Sequence, residues 1–286
     1  MNYYYLVTGL PDIEIDDNKM AFSVSDFKEE VRPLLSNNDM SLLKLFYMKF
    51  DNQNLLNYLK DKEAKLDERG NIPKEELEEA LKLIVEDVDP TSRIIPPYFK
   101  IFVEAYFKSF VEVYKDTPDD DDDSGELLLE SRLTELYYEW AMKCNNKMIS
   151  NWFEFNMNLN NILSAYANRK YQMAIEPVGH NEIAEAIKTS SQRDFGLTGI
   201  YDDLETFKRI SEETDILERE KKIDLLRWQW LDEQTFFKQF DIEQVFAYLV
   251  KLEIIERWSS LTPEQGEKIF RELINNLKKN VMNQQK

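Results

Sequence analysis

Five consecutive aspartates, Asp119, Asp120, Asp121, Asp122 and Asp123, are the residues whose type and spacing first suggest chemistry. Asp119, Asp120 and Asp123 satisfy a D-D-x-x-D pattern. On a helix facing a cavity, carboxylates one turn apart converge on magnesium ions that hold a diphosphate. That chemistry needs the helix. Here the flanks are Thr117-Pro118 and Ser124-Gly125, turn formers that place the run in a loop. Five aspartates in a row also satisfy the spacing trivially. A second metal motif, N/D-D-x-x-S/T-x-x-x-E, is required as well. Its nearest match supplies Asp202, Asp203 and Thr206 but has Ile210 where the glutamate belongs. Asp202 with Glu205 reads more simply as a capping box at a helix start. The run is therefore read as a solvated acidic spacer, fit to dock a basic patch on a partner.

The other candidates are single residues. His180, the one histidine, stands just before a helical segment and has no second imidazole to share a metal. No E-x-x-H motif exists for a carboxylate-bridged di-iron bundle. Cys144, the one cysteine, falls on an apolar stripe and is expected to be a buried small hydrophobe. One cysteine allows no intramolecular disulfide and no cysteine-based zinc framework. The seven glycines are dispersed, so neither a phosphate-binding loop nor a dinucleotide fingerprint can be written. Trp228 and Trp230, two positions apart on a helix, point roughly 200° apart and cannot share one core. That turn is a candidate partner contact; the simpler reading is a helix sandwiched between two others.

The elements around these residues are helical. Leu77, Leu81, Ile84 and Val88 fall at steps of four, three and four. Phe99, Phe102, Tyr106, Phe110 and Val113 form a similar stripe. Asp241 and Gln244 form a capping box before Ile242, Val245, Leu249 and Leu252; Thr262 and Pro263 open a further segment toward Leu277. From about Glu126 to Tyr171 there is no proline or glycine. One helix over that stretch would span roughly 68 Å, so it is either a long bridging helix or two helices broken near Asn145–Asn146. Pro33 is expected to shorten or kink its helix. Strand signals are confined to "YYYLV" and "MAFSV", which can pair as a small N-terminal β-hairpin. The fold expected is all-α, a multi-helix bundle with a long central helix. Its expected divisions are an N-terminal helical lobe over 1–116, an acidic linker loop over 117–125 and a C-terminal helical lobe over 126–286.

The chain of 286 residues carries a net charge of −19. A phosphate backbone or an anionic lipid surface is repelled by that field, which argues against nucleic acid as a partner. The opening residues lack a basic n-region, and no run approaches the ~18 apolar residues of a membrane span. A reducing, cytoplasmic compartment is expected, with membrane contact only through a protein complex and no direct insertion.

Two segments are similar to each other: Phe155–Lys170 and Phe240–Trp258 each place a Phe before an apolar, alanine- and tyrosine-bearing helix. The first, "NLNNILSAYANRK", resembles the asparagine-leucine helix of the C subunit (also called the d subunit) of V-type and archaeal-type ATPases. Asn158, Leu159, Ile162, Leu163 and Ala165 match it, while Ser164 stands where arginine is usual. "QVFAYLVKLEIIERW" is similar to a later helix of that family through Ala247, Tyr248, Leu249, Lys251 and Glu253. "YYYLVTGLPDI" resembles the opening of an uncharacterised bacterial family whose genes lie among those of the V-type ATPase. The resemblance implies a divergent, non-catalytic coupler like the C subunit, or an assembly factor, of a rotary ATPase. Its implied partners are the central shaft and the membrane rotor ring, and it implies no cofactor, metal or active site. Other expectations stay open: a generic helical interaction module, and a magnesium-dependent enzyme like the isoprenoid synthases using Asp119–Asp123.

Overall fold

The computed structural model describes residues 2–17, 20, 22–88, 95–116, 123–173, 175–201 and 203–260. Among them every regular element is a helix: α1 Tyr4–Gly9, α2 Val24–Val31, α3 Asn37–Lys60, α4 Lys74–Val85, α5 Pro97–Asp116, α6 Asp123–Ala141, α7 Lys147–Tyr171, α8 Glu182–Thr189, α9 Leu204–Glu212, α10 Ile216–Thr235 and α11 Ile242–Ser260. The all-α expectation holds. The β-hairpin does not: "YYYLV" enters α1, and "MAFSV" contains the cap of α2. Ser23 Oγ accepts from the Asp26 N–H at 3.0 Å, and Asp26 Oδ2 accepts from the Ser23 N–H at 3.1 Å. This reciprocal box starts a helix where the residue types suggested a strand. Downstream, α2 stops at Val31, two residues short of Pro33.

The chain divides into two compact units, one of Met1–Leu35 with Asp224–Lys286, the other of Ser36–Ile223. In the first unit α2 packs on α11. Val24, Phe27 and Val31, spaced three and four apart, are buried. The Phe27 ring lies 5.5 Å from that of Tyr248, and Phe22 stacks on Phe27 at 5.9 Å. Glu256 on α11 accepts from the Val24 N–H at 3.0 Å, satisfying a first-turn donor that α2 cannot pair itself. The segment expected to follow α11 as a helix lies outside the described residues.

In the second unit α5 packs on α4 and α6, α6 on α3 and α7, and α7 on α8 and α9. Leu77, Leu81 and Ile84 are buried as their spacing requires, while Val88 falls beyond α4 and is exposed. The stretch expected to be one long helix or two is two, α6 and α7. Asn146 makes the break: its side-chain oxygen accepts from the Ile149 N–H at 3.1 Å and caps α7. Cys144, half-buried in that turn, donates to the Asn146 carbonyl, and burial raises its thiol pKa. Helix α6 begins at Asp123, so the last aspartate of the acidic run belongs to a helix.

An aromatic layer joins α3, α5 and α6. Tyr98 donates to Asn52 Oδ1 at 2.6 Å, Tyr137 donates to the Leu45 carbonyl at 2.9 Å, and the two rings lie 6.3 Å apart. Burial pushes both phenols well above their ordinary range; Asp51 adds to this at Tyr98, and Tyr138 and Tyr98 add to it at Tyr137. A phenol with its folded pKa raised keeps its proton after the unfolded chain, near pH ~10, has lost its own. The unfolded state then binds fewer protons, so stability is full below that pH and falls as pH rises further. The urea midpoint is therefore expected to hold from about pH 7 to 9 and to drop between about pH 10 and 11. Tyr137→Phe should lower the midpoint at neutral pH, through the lost Leu45 bond, while reducing the alkaline drop. An alkaline drop unchanged by Tyr137→Phe would rule this residue out as a source of it.

Candidate functional site

A dense polar arrangement in the second unit is built where α6 and α7 meet the α7–α8 connection. Asn158 and Asn161 lie on the same helical face as Ile162 and Ala165, and all four are buried. A buried amide must find partners for its donors and acceptor. Asn161 finds both on one residue: its Nδ2 donates to the Val178 carbonyl and its Oδ1 accepts from the Val178 N–H, each at 2.8 Å. Asn158 Oδ1 accepts from Asn181 Nδ2 at 2.7 Å, and Asn181 Oδ1 in turn accepts from the Ala184 N–H and caps α8. Between them Gly179 has φ +82, and a Cβ there would come within 3.0 Å of Met157 Sδ. A side chain at this position would meet both the left-handed backbone and that sulfur.

His180 sits in the same connection. Its Nε2 lies 3.2 Å from Glu135 Oε1 on α6, and the other Glu135 oxygen is paired with Arg132. Glu135, Glu139 and His180 each bring one ligand-type atom to within 4.8 Å of the others. Glu135 and Glu139, four apart, share a helix face, which is why the chain can assemble this set. Two carboxylates and an imidazole are a ligand set suited to a divalent cation. The Arg132 guanidinium already neutralises Glu135, and His180 is largely exposed, so the arrangement reads as a polar network tying the connection to α6. His180 thus meets carboxylates from a distant helix, a partnership its position before α8 did not disclose.

The sequence candidates are placed as follows. Asp119, Asp120, Asp121, Asp122 and Asp202 lie outside the described residues, so the question of convergence between the acidic run and Asp202–Asp203 lies there too. Asp203 occupies the cap position of α9, with no side-chain cap bond, one residue later than the expected capping box. Trp228 is buried, with Lys251 Nζ 4.8 Å above its ring, while Trp230 is half-buried. The two indoles differ in burial. Sequence reading missed Asn158, Asn161 and Asn181 as a clamp. The available signal was amide side chains at positions of an apolar stripe.

Helices packed through aromatic layers and closed by buried amide clamps define an all-helical protein; no described helix is long and apolar enough to cross a membrane. The chain belongs to DUF2764, a protein family of unknown function, whose model matches residues 1–281. Comparison with curated proteins and comparison with solved structures each return no match.

Proposed function

We propose that the protein is a non-catalytic subunit or assembly factor of a V-type rotary ATPase, a coupler in the manner of the C subunit between the central shaft and the membrane rotor ring. One observation supports the reading most. Most of the residues that carry the resemblance to that family are buried in this fold. Leu159, Ile162 and Ala165 are core, and Asn158 is buried in the clamp that fixes the α7–α8 connection. A torque-bearing coupler needs stiff helices whose connections are tied down, and buried, hydrogen-bonded amides stiffen such joints. A net charge of −19 suits a chain that recognises basic protein surfaces.

Epitope-tagged protein at native level, extracted from its own cell in mild detergent, is expected to co-purify with catalytic and shaft subunits of the rotary ATPase. Absence of those subunits, with the tagged chain intact, removes the reading. A helical interaction module serving another assembly is the second reading. The exposed pair Phe236 and Phe237 favours it, because such a pair suits any protein partner.

A further inference from the structure

The first unit leaves an aromatic knuckle in water. Phe237 is 89% exposed and Phe236 68%, and their rings meet edge-on at 4.8 Å in the connection between α10 and α11. Phe240, in the same connection, lies 4.8 Å from the ring of Tyr4, which is edge-on to Tyr5 at 5.7 Å; Tyr5 is 90% exposed. The Tyr3 N–H donates to the Phe240 carbonyl at 2.7 Å and ties the start of α1 to this connection. Single exposed apolar residues are ordinary, but paired aromatic rings from two segments tied to each other are the composition of a contact surface.

The charges around it say what fits there. Between Met1 and Asp17 the sequence has four carboxylates, Asp12, Glu14, Asp16 and Asp17, and no lysine or arginine. The stretch 232–241 adds Asp232, Glu233 and Asp241 against Lys238, with Asp232 paired to Lys251 of α11. Lys238 is itself paired with Glu243 at 3.4 Å. The two chain segments that carry the rings are therefore both net acidic, and this charge is what gives the rings an acidic surround. An anionic membrane is repelled by that surround, and so is a second copy of the same face.

We infer that this knuckle docks a protein partner whose surface offers an apolar pocket rimmed by lysine and arginine. The inference concerns the partner's surface chemistry and stands whichever assembly that partner belongs to. Phe236 and Phe237 fill the pocket, and the surrounding carboxylates meet the rim. Such central aromatics carry most of an interface's affinity, with charges setting approach and register.

The test places the photo-reactive residue benzoyl-phenylalanine at position 237 of the full chain in its own cell, with position 65 as control. Irradiation is expected to give one protein adduct, specific to position 237, on a peptide that carries lysine or arginine around apolar residues. The partner so identified, once purified, should bind the wild-type chain and lose about 100-fold in affinity to F236A/F237A, whose melting temperature stays unchanged because both rings are exposed. Raising salt should weaken the wild-type complex. The inference is overturned by an adduct to lipid, to a second copy or to residues 261–286 of the same chain. It is equally overturned by the absence of a position-specific protein adduct, by a cross-linked peptide lacking basic residues, or by F236A/F237A binding like wild type. Adducts to a component of the rotary ATPase would support the functional reading as well; an adduct to an unrelated basic-rimmed protein would support the knuckle and remove the ATPase.

Discussion

Asp224→Ala is expected to cost about 3 kcal/mol or more of folding stability, read as a shift of the urea midpoint at unchanged slope. Asp224 lies on α10 and is 1% exposed. One of its oxygens accepts from Arg227 at 3.1 Å; the other accepts from the Trp258 indole N–H at 2.7 Å and pairs with Arg257. Three donors from two helices thus converge on one buried carboxylate. Truncation removes the acceptor and leaves an indole N–H and two guanidiniums without it. Both arginines retain some exposure, Arg257 more than Arg227, so part of their charge can turn to water. That holds the expectation near the lower end of the ~3–5 kcal/mol seen when a buried pair loses one member. Asp224→Asn keeps the shape and an oxygen for Trp258 but loses the charge, and should fall between wild type and alanine. A loss under about 1 kcal/mol for Asp224→Ala would mean that the network contributes little beyond its packing.

The helices of this protein were legible because apolar periodicity is a local property. Leu77, Leu81 and Ile84 announce the buried face of α4 from spacing alone, and proline marks where α2 ends. The break between α6 and α7 was readable as one of two options; the single bond from Ile149 to Asn146 decides it. What was not legible is the long-range polar pairing. Nothing local says that Asn161 will meet Val178, that His180 will meet Glu135, or that Asp224 will meet Trp258. Each partner is brought by tertiary packing, and each polar side chain sits where the local pattern expects either a core residue or solvent. The hairpin reading failed for the related reason that two short runs of strand-like residues carry less weight than a capping box. Composition also hid the aromatic knuckle: Phe236 and Phe237 look like core residues until the turn that carries them is placed outside the core.

The second large effect is expected at Asp51, and it can be tied to a glycine. Asp51 on α3 is 1% exposed and accepts from the Asn71 N–H at 2.6 Å, the Ile72 N–H at 3.0 Å and Asn71 Nδ2 at 2.8 Å. Asn54, one turn along, exchanges two bonds with the backbone of Asp67, donating at 2.9 Å and accepting at 2.7 Å. Together the two side chains hold the loop between α3 and α4 by its backbone. Asp51→Ala leaves two backbone N–H groups without their acceptor, at about 1–3 kcal/mol each, so a total near ~3 kcal/mol is expected. The loop must also approach closely: a Cβ at Gly70 would stand 2.6 Å from Asp51 Oδ1 and 3.0 Å from Asn54 Nδ2. The carboxylate is held by three donors and cannot swing aside cheaply, so Gly70→Ala is expected to cost about 1–3 kcal/mol as overpacking. The two losses should not add. In an Asp51→Ala background the atom that Cβ would strike is gone, so Gly70→Ala should cost at least about 1 kcal/mol less than it does alone. Urea denaturation of the four proteins in this cycle gives that difference directly. Strict additivity would mean that the Asn54 amide, whose Nδ2 stands 3.0 Å from the same Cβ, sets how near the loop must come, and that Asp51 does not.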